Sequence, residues 1–135
     1  MLVVEDNKLD VLLVRHAFAV YGVAASLHVA EDGEAAMRFI DAVDENENAR
    51  CPALILLDLN LPKRSGAEVL GYARQSKRCA RVKVLIVSSS DSPADRAETG
   101  RLGANGYFLK PPSYEDFLKV GEIVRDILEG CSDKM

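Results

Sequence analysis

Short apolar runs bounded by turn residues recur along the chain: Leu2–Val4, Leu27–Ala30, Ala53–Leu57, Val82–Val87 and Gly106–Leu109. Runs of this length between polar breaks read as buried strands. Longer segments of helical period lie between them. In residues 9–21, Leu9, Leu12, Leu13, Ala17 and Val20 fall on one face, and in residues 114–129 Phe117, Val120, Val124, Ile127 and Leu128 do the same. Asp32-Gly33-Glu34 reads as a cap opening a helix through about Val43. Ser92-Pro93 is a strong helix start, with a capping hydroxyl followed by proline at the first helical position. The order is strand then helix, repeated five times. Such alternation predicts a parallel sheet with helices on both faces. No linker, repeat or low-complexity tract interrupts it, so residues 1–130 are expected as one domain and residues 131–135 as a short tail.

Composition narrows this only a little. The 135 residues are 48% apolar and 28% charged, enough for a real core and typical of a soluble globular chain. No apolar run approaches the ~20 residues of a membrane span, and Met1 leads straight into a strand-like run, so neither membrane insertion nor a signal peptide is expected. The net charge of −4 argues mildly against nucleic acid as a direct partner. Cys51, Cys79 and Cys131 are odd in number, far apart, and fit neither a zinc spacing nor a CxxC pattern. They read as reduced thiols of a cytoplasmic protein. His16 and His28 are isolated and read as surface or core filler. The acidic loop Asp44–Asn48 and the basic patch Lys77–Lys83 fall in helix-to-strand connections, away from the usual ligand edge, and read as solvated surface.

The strand ends change the picture. The stretch ALILLDLNLPKRSG carries a single charge, Asp58, to the end of a greasy run. A helix cap, a metal ligand and a nucleophile are all open readings of it. In a doubly wound sheet, ligands bind beyond the C-terminal strand ends, near the point where strand order reverses. Glu5 and Asp6 follow the first strand, Asp58 the third, Ser88-Ser89-Ser90 the fourth, and Lys110 with Pro111 the fifth. In the order 2-1-3-4-5 the first and third strands are neighbours, which brings Glu5, Asp6 and Asp58 together. Three crowded carboxylates repel one another and call for a cation. Hard oxygen ligands suit Mg²⁺, and no His or Cys is placed for zinc. A bridging metal, a fixed charge on Lys110 and the Ser88 hydroxyl would together suit phosphoryl transfer, with Asp58 as a nucleophile forming an aspartyl phosphate.

Rival sites fit less well. Nucleotide and dinucleotide loops need glycines after the first strand, and EDNKLD has none. A flavin site would want a hydroxyl- or glycine-rich phosphate loop there. A phosphatase of the haloacid dehalogenase type needs a second aspartate two residues after the nucleophile, where this chain has Asn60.

VVEDN, LLDLNLPKRSG, LIVSSS and GYFLKP stand in an order and spacing that resembles the receiver domains of two-component response regulators. VEDNKLDVLLVRHAF further resembles the stand-alone, CheY-like receivers associated with phytochromes. The resemblance implies a flavodoxin-like α/β fold, a doubly wound sheet of five parallel strands in order 2-1-3-4-5. It implies Asp58 as phosphoacceptor, Mg²⁺ held by Glu5, Asp6, Asp58 and the backbone carbonyl of Asn60, Ser88 as the switch hydroxyl and Lys110 as the phosphate-binding lysine. Tyr107 takes the place of a rotating aromatic, and Lys110–Pro111 is expected as a cis bond. Two positions depart from the pattern: the hydroxyl is Ser88 rather than the commoner threonine, and Pro112 stands where an apolar residue is usual. The implied partners are a sensor histidine kinase or histidine phosphotransfer protein and a downstream protein target. The face of the fourth helix, fifth strand and fifth helix is the expected target site or homodimer contact. The implied role is that of a phosphorylated switch catalysing only its own phosphoryl transfer and dephosphorylation. A receiver-shaped interaction module that ignores phosphate is the alternative. The chain is expected to end without an output domain.

Overall fold

The computed structural model describes residues 1–130. The expected tail and Cys131 lie outside the described residues. Five strands, β1 (Leu2–Val4), β2 (His28–Ala30), β3 (Leu54–Leu57), β4 (Lys83–Ser88) and β5 (Gly106–Leu109), form one parallel sheet in the order β2-β1-β3-β4-β5. The helices are α1 (Lys8–Val20), α2 (Gly33–Glu45), α3 (Gly66–Arg74), α4 (Pro93–Arg101), α5 (Tyr114–Phe117) and α6 (Val120–Leu128). The expected doubly wound fold is therefore present. The expected last helix is interrupted at Leu118 and Lys119.

Alternate strand residues feed two cores. Leu2, Val4, Ile55, Leu57, Val84 and Ile86 pack with Ile40 of α2 and with Val69 and Leu70 of α3. Val3, Leu54, Leu56, Leu85 and Val87 face the other way, onto Phe18, Phe117, Val120 and Val124. Both faces of β3 are covered, which is why it reads as an unbroken apolar run.

The expected apolar face of α1 holds at Ala17 and at Leu13, which packs on the second core, and is corrected at its other positions. The helix buries Val14, Ala17 and Phe18, while Leu9, Leu12 and Val20 are 63%, 62% and 54% exposed. The helix carries two apolar stripes, and only the Val14–Phe18 stripe points at the sheet. Helix α4 is the opposite case, burying only Thr99. Its start matches expectation: the Ser92 side chain accepts the Asp95 N–H, with proline in the first turn.

The cysteine reading is corrected as well. Cys51 and Cys79 form a disulfide, their Cα atoms 5.5 Å apart. A separation of 28 residues hides the pair in the sequence. Cys51 lies in the α2–β3 connection and Cys79 in the α3–β4 connection, and winding the chain brings both to the N-terminal edge of the sheet. Most charged residues of the acidic and basic stretches are exposed, as expected for solvated surface, but the two stretches are joined at Asp44 and Arg78. Asp44 accepts from the Ser76 hydroxyl (2.7 Å) and from the backbone N–H groups of Lys77 and Arg78 (3.3 and 3.1 Å). The Arg78 guanidinium donates to the carbonyls of Val43, Asn46 and Ala49. The two histidines are exposed surface residues: His28 lies against Phe39 and His16 against Tyr114.

Candidate functional site

Sheet register builds the site. Val4 is paired with Leu57, and Ser88 with Leu109. The next residues, Glu5 and Asp58, therefore leave the neighbouring strands β1 and β3 at one edge, and Lys110 leaves the same edge from β5, one strand beyond β4. Their backbones continue the ladder: Asp58 N–H donates to Val4 O (3.1 Å), Glu5 N–H to Ala30 O (3.0 Å) and Lys110 N–H to Ser88 O (2.7 Å). Carboxylate oxygens of Glu5, Asp6 and Asp58 lie within 4.8 Å of one another. Glu5 and Asp58 are buried and Asp6 is exposed. This is a cluster of hard oxygen donors with one open side, which fits a divalent cation that retains waters.

Lys110 ties the acids together. Its ammonium donates to Glu5 Oε1 (2.8 Å), Asp10 Oδ2 (2.8 Å) and Asp58 Oδ2 (3.2 Å). A lysine has three N–H donors, so each is matched to a carboxylate. The other Asp58 oxygen accepts the Asn60 N–H (3.1 Å), and Glu5 Oε2 accepts the Asn7 N–H (3.1 Å). Burial pushes the Glu5 carboxyl up from 4.5 to about 7, and the Asp58 charge adds to the rise although the bond from Lys110 opposes it. Burial alone would lower Lys110. Its bonds to Asp10 and Glu5, with the charges of Asp58 and Glu5, instead hold it well above the usual lysine range. The site carries more negative charge than its single ammonium balances.

Asp10 was not singled out in the sequence. It sits in the first turn of α1, where an acid is ordinarily explained by the helix dipole. Its place one helical turn beyond Asp6 was the available signal. The expected cis bond is also corrected, since the described residues contain no cis peptide. With Lys110 N–H pinned to Ser88 O, the trans chain already delivers the ammonium to all three acids.

Ser88 is fully buried at the end of β4, and its Oγ accepts the Ser90 N–H (3.1 Å). The Tyr107 hydroxyl donates to Ser90 O (2.7 Å), and Arg96 of α4 lies 4.3 Å over the Tyr107 ring. Ser90 also bonds to Asp95 through its own hydroxyl. The half-buried Tyr107 is thus attached to the loop that follows Ser88. Beyond Asp58, Gly66 has no room for a side chain: a Cβ there would meet the Asp58 carbonyl and lie 2.7 Å from Leu59 Cα. Asn60 is exposed in this turn. A cleft of about 360 Å³ opens beside Glu5 and Asp6, walled by Val11, Leu12 and Val29.

Residues 1–121 match the response regulator receiver domain family. The chain belongs to this family. The receiver domain is 37% identical over 120 residues to the response regulator Rcp1 of Synechocystis, covering 89% of this chain and 82% of that protein. It is 32% identical over 126 residues to the probable methanogenesis regulatory protein FilR2 of Methanothrix harundinacea, covering 93% and 81%. Among solved structures, the Mn(2+)-bound form of Rcp1 superposes with a TM-score of 0.81 at 35% identity, covering 93% of this chain and 90% of that one. The phosphorylated cyanobacterial phytochrome response regulator RcpA superposes at 0.85 and 32% identity, covering 96% and 93%. No helix among the described residues of the receiver is long and apolar enough to cross a membrane.

Proposed function

We propose that this receiver accepts a phosphoryl group on Asp58 in a Mg²⁺-dependent reaction and signals through a change of surface. The observation that carries the reading is the junction of Asp58 with Glu5, Asp6 and Lys110 at one strand edge. Glu5, Asp6, Asp58 and the Asn60 carbonyl would hold the metal. When bound it supplies positive charge that offsets the crowded acids and the incoming phosphoryl oxygens. The Mn(2+)-bound form of the similar Rcp1 supports a divalent ion here.

In the reaction an Asp58 oxygen attacks phosphorus, the new P–O bond forms, and the bond to the donor nitrogen of a phosphohistidine breaks. Asn60 N–H holds one Asp58 oxygen in place. The longest of the three Lys110 contacts is the one to Asp58 Oδ2, so this donor is the one best placed to turn to a phosphoryl oxygen. Ser88 offers its hydroxyl to another. Moving that hydroxyl disturbs its bond from Ser90, and Ser90 in turn holds Tyr107 and α4. A local charge change is thereby coupled to the face formed by α4, β5 and α5–α6. That face is the proposed target or homodimer surface.

The donor is a sensor histidine kinase or a histidine phosphotransfer protein, and likeness to RcpA supports a phytochrome-type kinase. The site catalyses only its own phosphorylation and dephosphorylation, and the protein works in the cytoplasm. Incubation with acetyl phosphate and Mg²⁺, followed by intact mass, tests the reading. Wild type should gain one phosphoryl group and Asp58→Asn none. Equal labelling of the two would refute it.

A further inference from the structure

Cys51, Cys79 and the acidic and basic stretches around them play no part in phosphoryl chemistry. They lie at the opposite end of the sheet from Asp58. Cys79 is 2% exposed and packs in the α2–α3 core, whereas Cys51 is half-buried and reachable from solvent. The two connections that carry them are held together by groups other than sulfur. Asp44 accepts three hydrogen bonds from Ser76, Lys77 and Arg78, and Arg78 donates to the carbonyl of Val43 at the end of α2 and to those of Asn46 and Ala49 in the α2–β3 connection. The Cys79 N–H is itself fixed by Ser76 Oγ (3.0 Å).

We propose that Cys51 and Cys79 are a reversible redox site whose reactant is a low-molecular-weight thiol or its disulfide. The clamp of Asp44 and Arg78 makes the pair reversible. When the disulfide opens, these bonds keep the thiols side by side, so re-closure needs no search by the chain. Unequal exposure fixes the order of steps. A thiolate attacks Cys51 Sγ, forming a mixed disulfide there and expelling Cys79 as thiolate, which takes up a proton. A second thiolate attacks the outer sulfur of the mixed disulfide. The small-molecule disulfide leaves, and Cys51 is released and protonated. In sum, two thiols are oxidised to one disulfide and the protein disulfide is reduced to two thiols. Closure by an oxidised thiol runs the same steps backwards.

The test uses the full chain with Cys131→Ser, equilibrated in glutathione buffers from fully reduced to fully oxidised. Samples are quenched in acid, alkylated and weighed intact. Two thiols should appear and vanish together within the series. Persistence of the bond in the most reducing buffer would make it an inert staple, and failure to close in the most oxidising buffer would remove the pair. Either result overturns the proposal. A second arm adds Cys79→Ala or Cys51→Ala, alanine being small and apolar enough for the core, with far-UV circular dichroism to verify folding. Oxidised glutathione should place one glutathionyl group on Cys51 in the first variant, at least ~10-fold faster than on Cys79 in the second. Equal or reversed rates would overturn the assigned order.

Discussion

Replacing Lys110 with methionine should expose how the receiver balances its acids without metal. The change keeps much of the aliphatic stem and removes three ammonium contacts of 2.8, 2.8 and 3.2 Å. At an effective dielectric of about 20, each such contact is worth roughly 5–6 kcal/mol of gross attraction. Most of that is offset by desolvation, and removing one partner of a buried pair typically costs about 3–5 kcal/mol. The side chains of Glu5, Asp58 and Lys110 are 6%, 8% and 13% exposed, so solvent screens them little. Glu5 limits the loss by taking a proton, since its carboxyl already titrates at about 7. Lys110→Met in chelator should therefore lose ~2–4 kcal/mol near pH 8 and ~1 kcal/mol or less near pH 5, where the acid can be neutral. Urea unfolding followed by circular dichroism reads this as a midpoint lower by ~1–2.5 M at the higher pH. Added Mg²⁺ should rescue the variant more than wild type, because the metal replaces the missing positive charge. Full stability of the variant at pH 8 in chelator, or equal Mg²⁺ effects on both proteins, would refute the claim that Lys110 is the counter-cation of the metal-free site.

Three further outcomes follow from the same contacts. Because the Glu5 carboxyl is raised in the folded state from 4.5 to about 7, the folded protein binds more protons than the unfolded one between those values. Metal-free stability should accordingly fall as pH rises through that window, by at most about 3 kcal/mol and by less where solvent screens the carboxyl, and Glu5→Gln should flatten the slope in urea titrations; an unchanged slope would contradict the assignment. Asp6→Asn should weaken Mg²⁺ binding ~10-fold or more by calorimetry, with stability in chelator held or raised because one of the crowded charges is gone; a clear loss would make Asp6 structural. Tyr107→Phe removes the bond to Ser90 O and should cost about 1 kcal/mol, moving the amide resonances of residues 89–92; an unmoved loop would show that the hydroxyl does not hold it.

The fold and most of the site were legible because a few positions are overdetermined. Asp58 closes an apolar run covered on both faces, and Ser92-Pro93 can do little but start a helix. Glu5 and Lys110 are the polar residues that follow their strands; register sets Glu5 beside Asp58, and the long Lys110 side chain reaches across from β5. The misses share a cause, which is that local pattern is silent where tertiary placement decides. Leu9, Leu12 and Val20 are as apolar as Val14 and Phe18, and only the sheet's position chooses between the stripes. Asp10 looks like any first-turn acid until Lys110 arrives from far along the chain. Cys51 and Cys79 meet only because two crossovers end at the same sheet edge, and the clamp of Asp44 and Arg78 is assembled by the same winding. Lys110 reaches its acids through a trans peptide, which no feature of GYFLKP separates from the alternative.

The most direct test of the account is the location of the phosphoryl group itself. Wild-type protein is incubated with acetyl phosphate and Mg²⁺, reduced with borohydride to convert an acyl phosphate to an alcohol, digested and sequenced by mass spectrometry. The predicted result is homoserine at position 58 alone, absent when chelator replaces Mg²⁺. Reduction at Glu5, Asp6 or Asp10, a phosphate ester on Ser88, or labelling of Asp58 that is indifferent to chelator would contradict it.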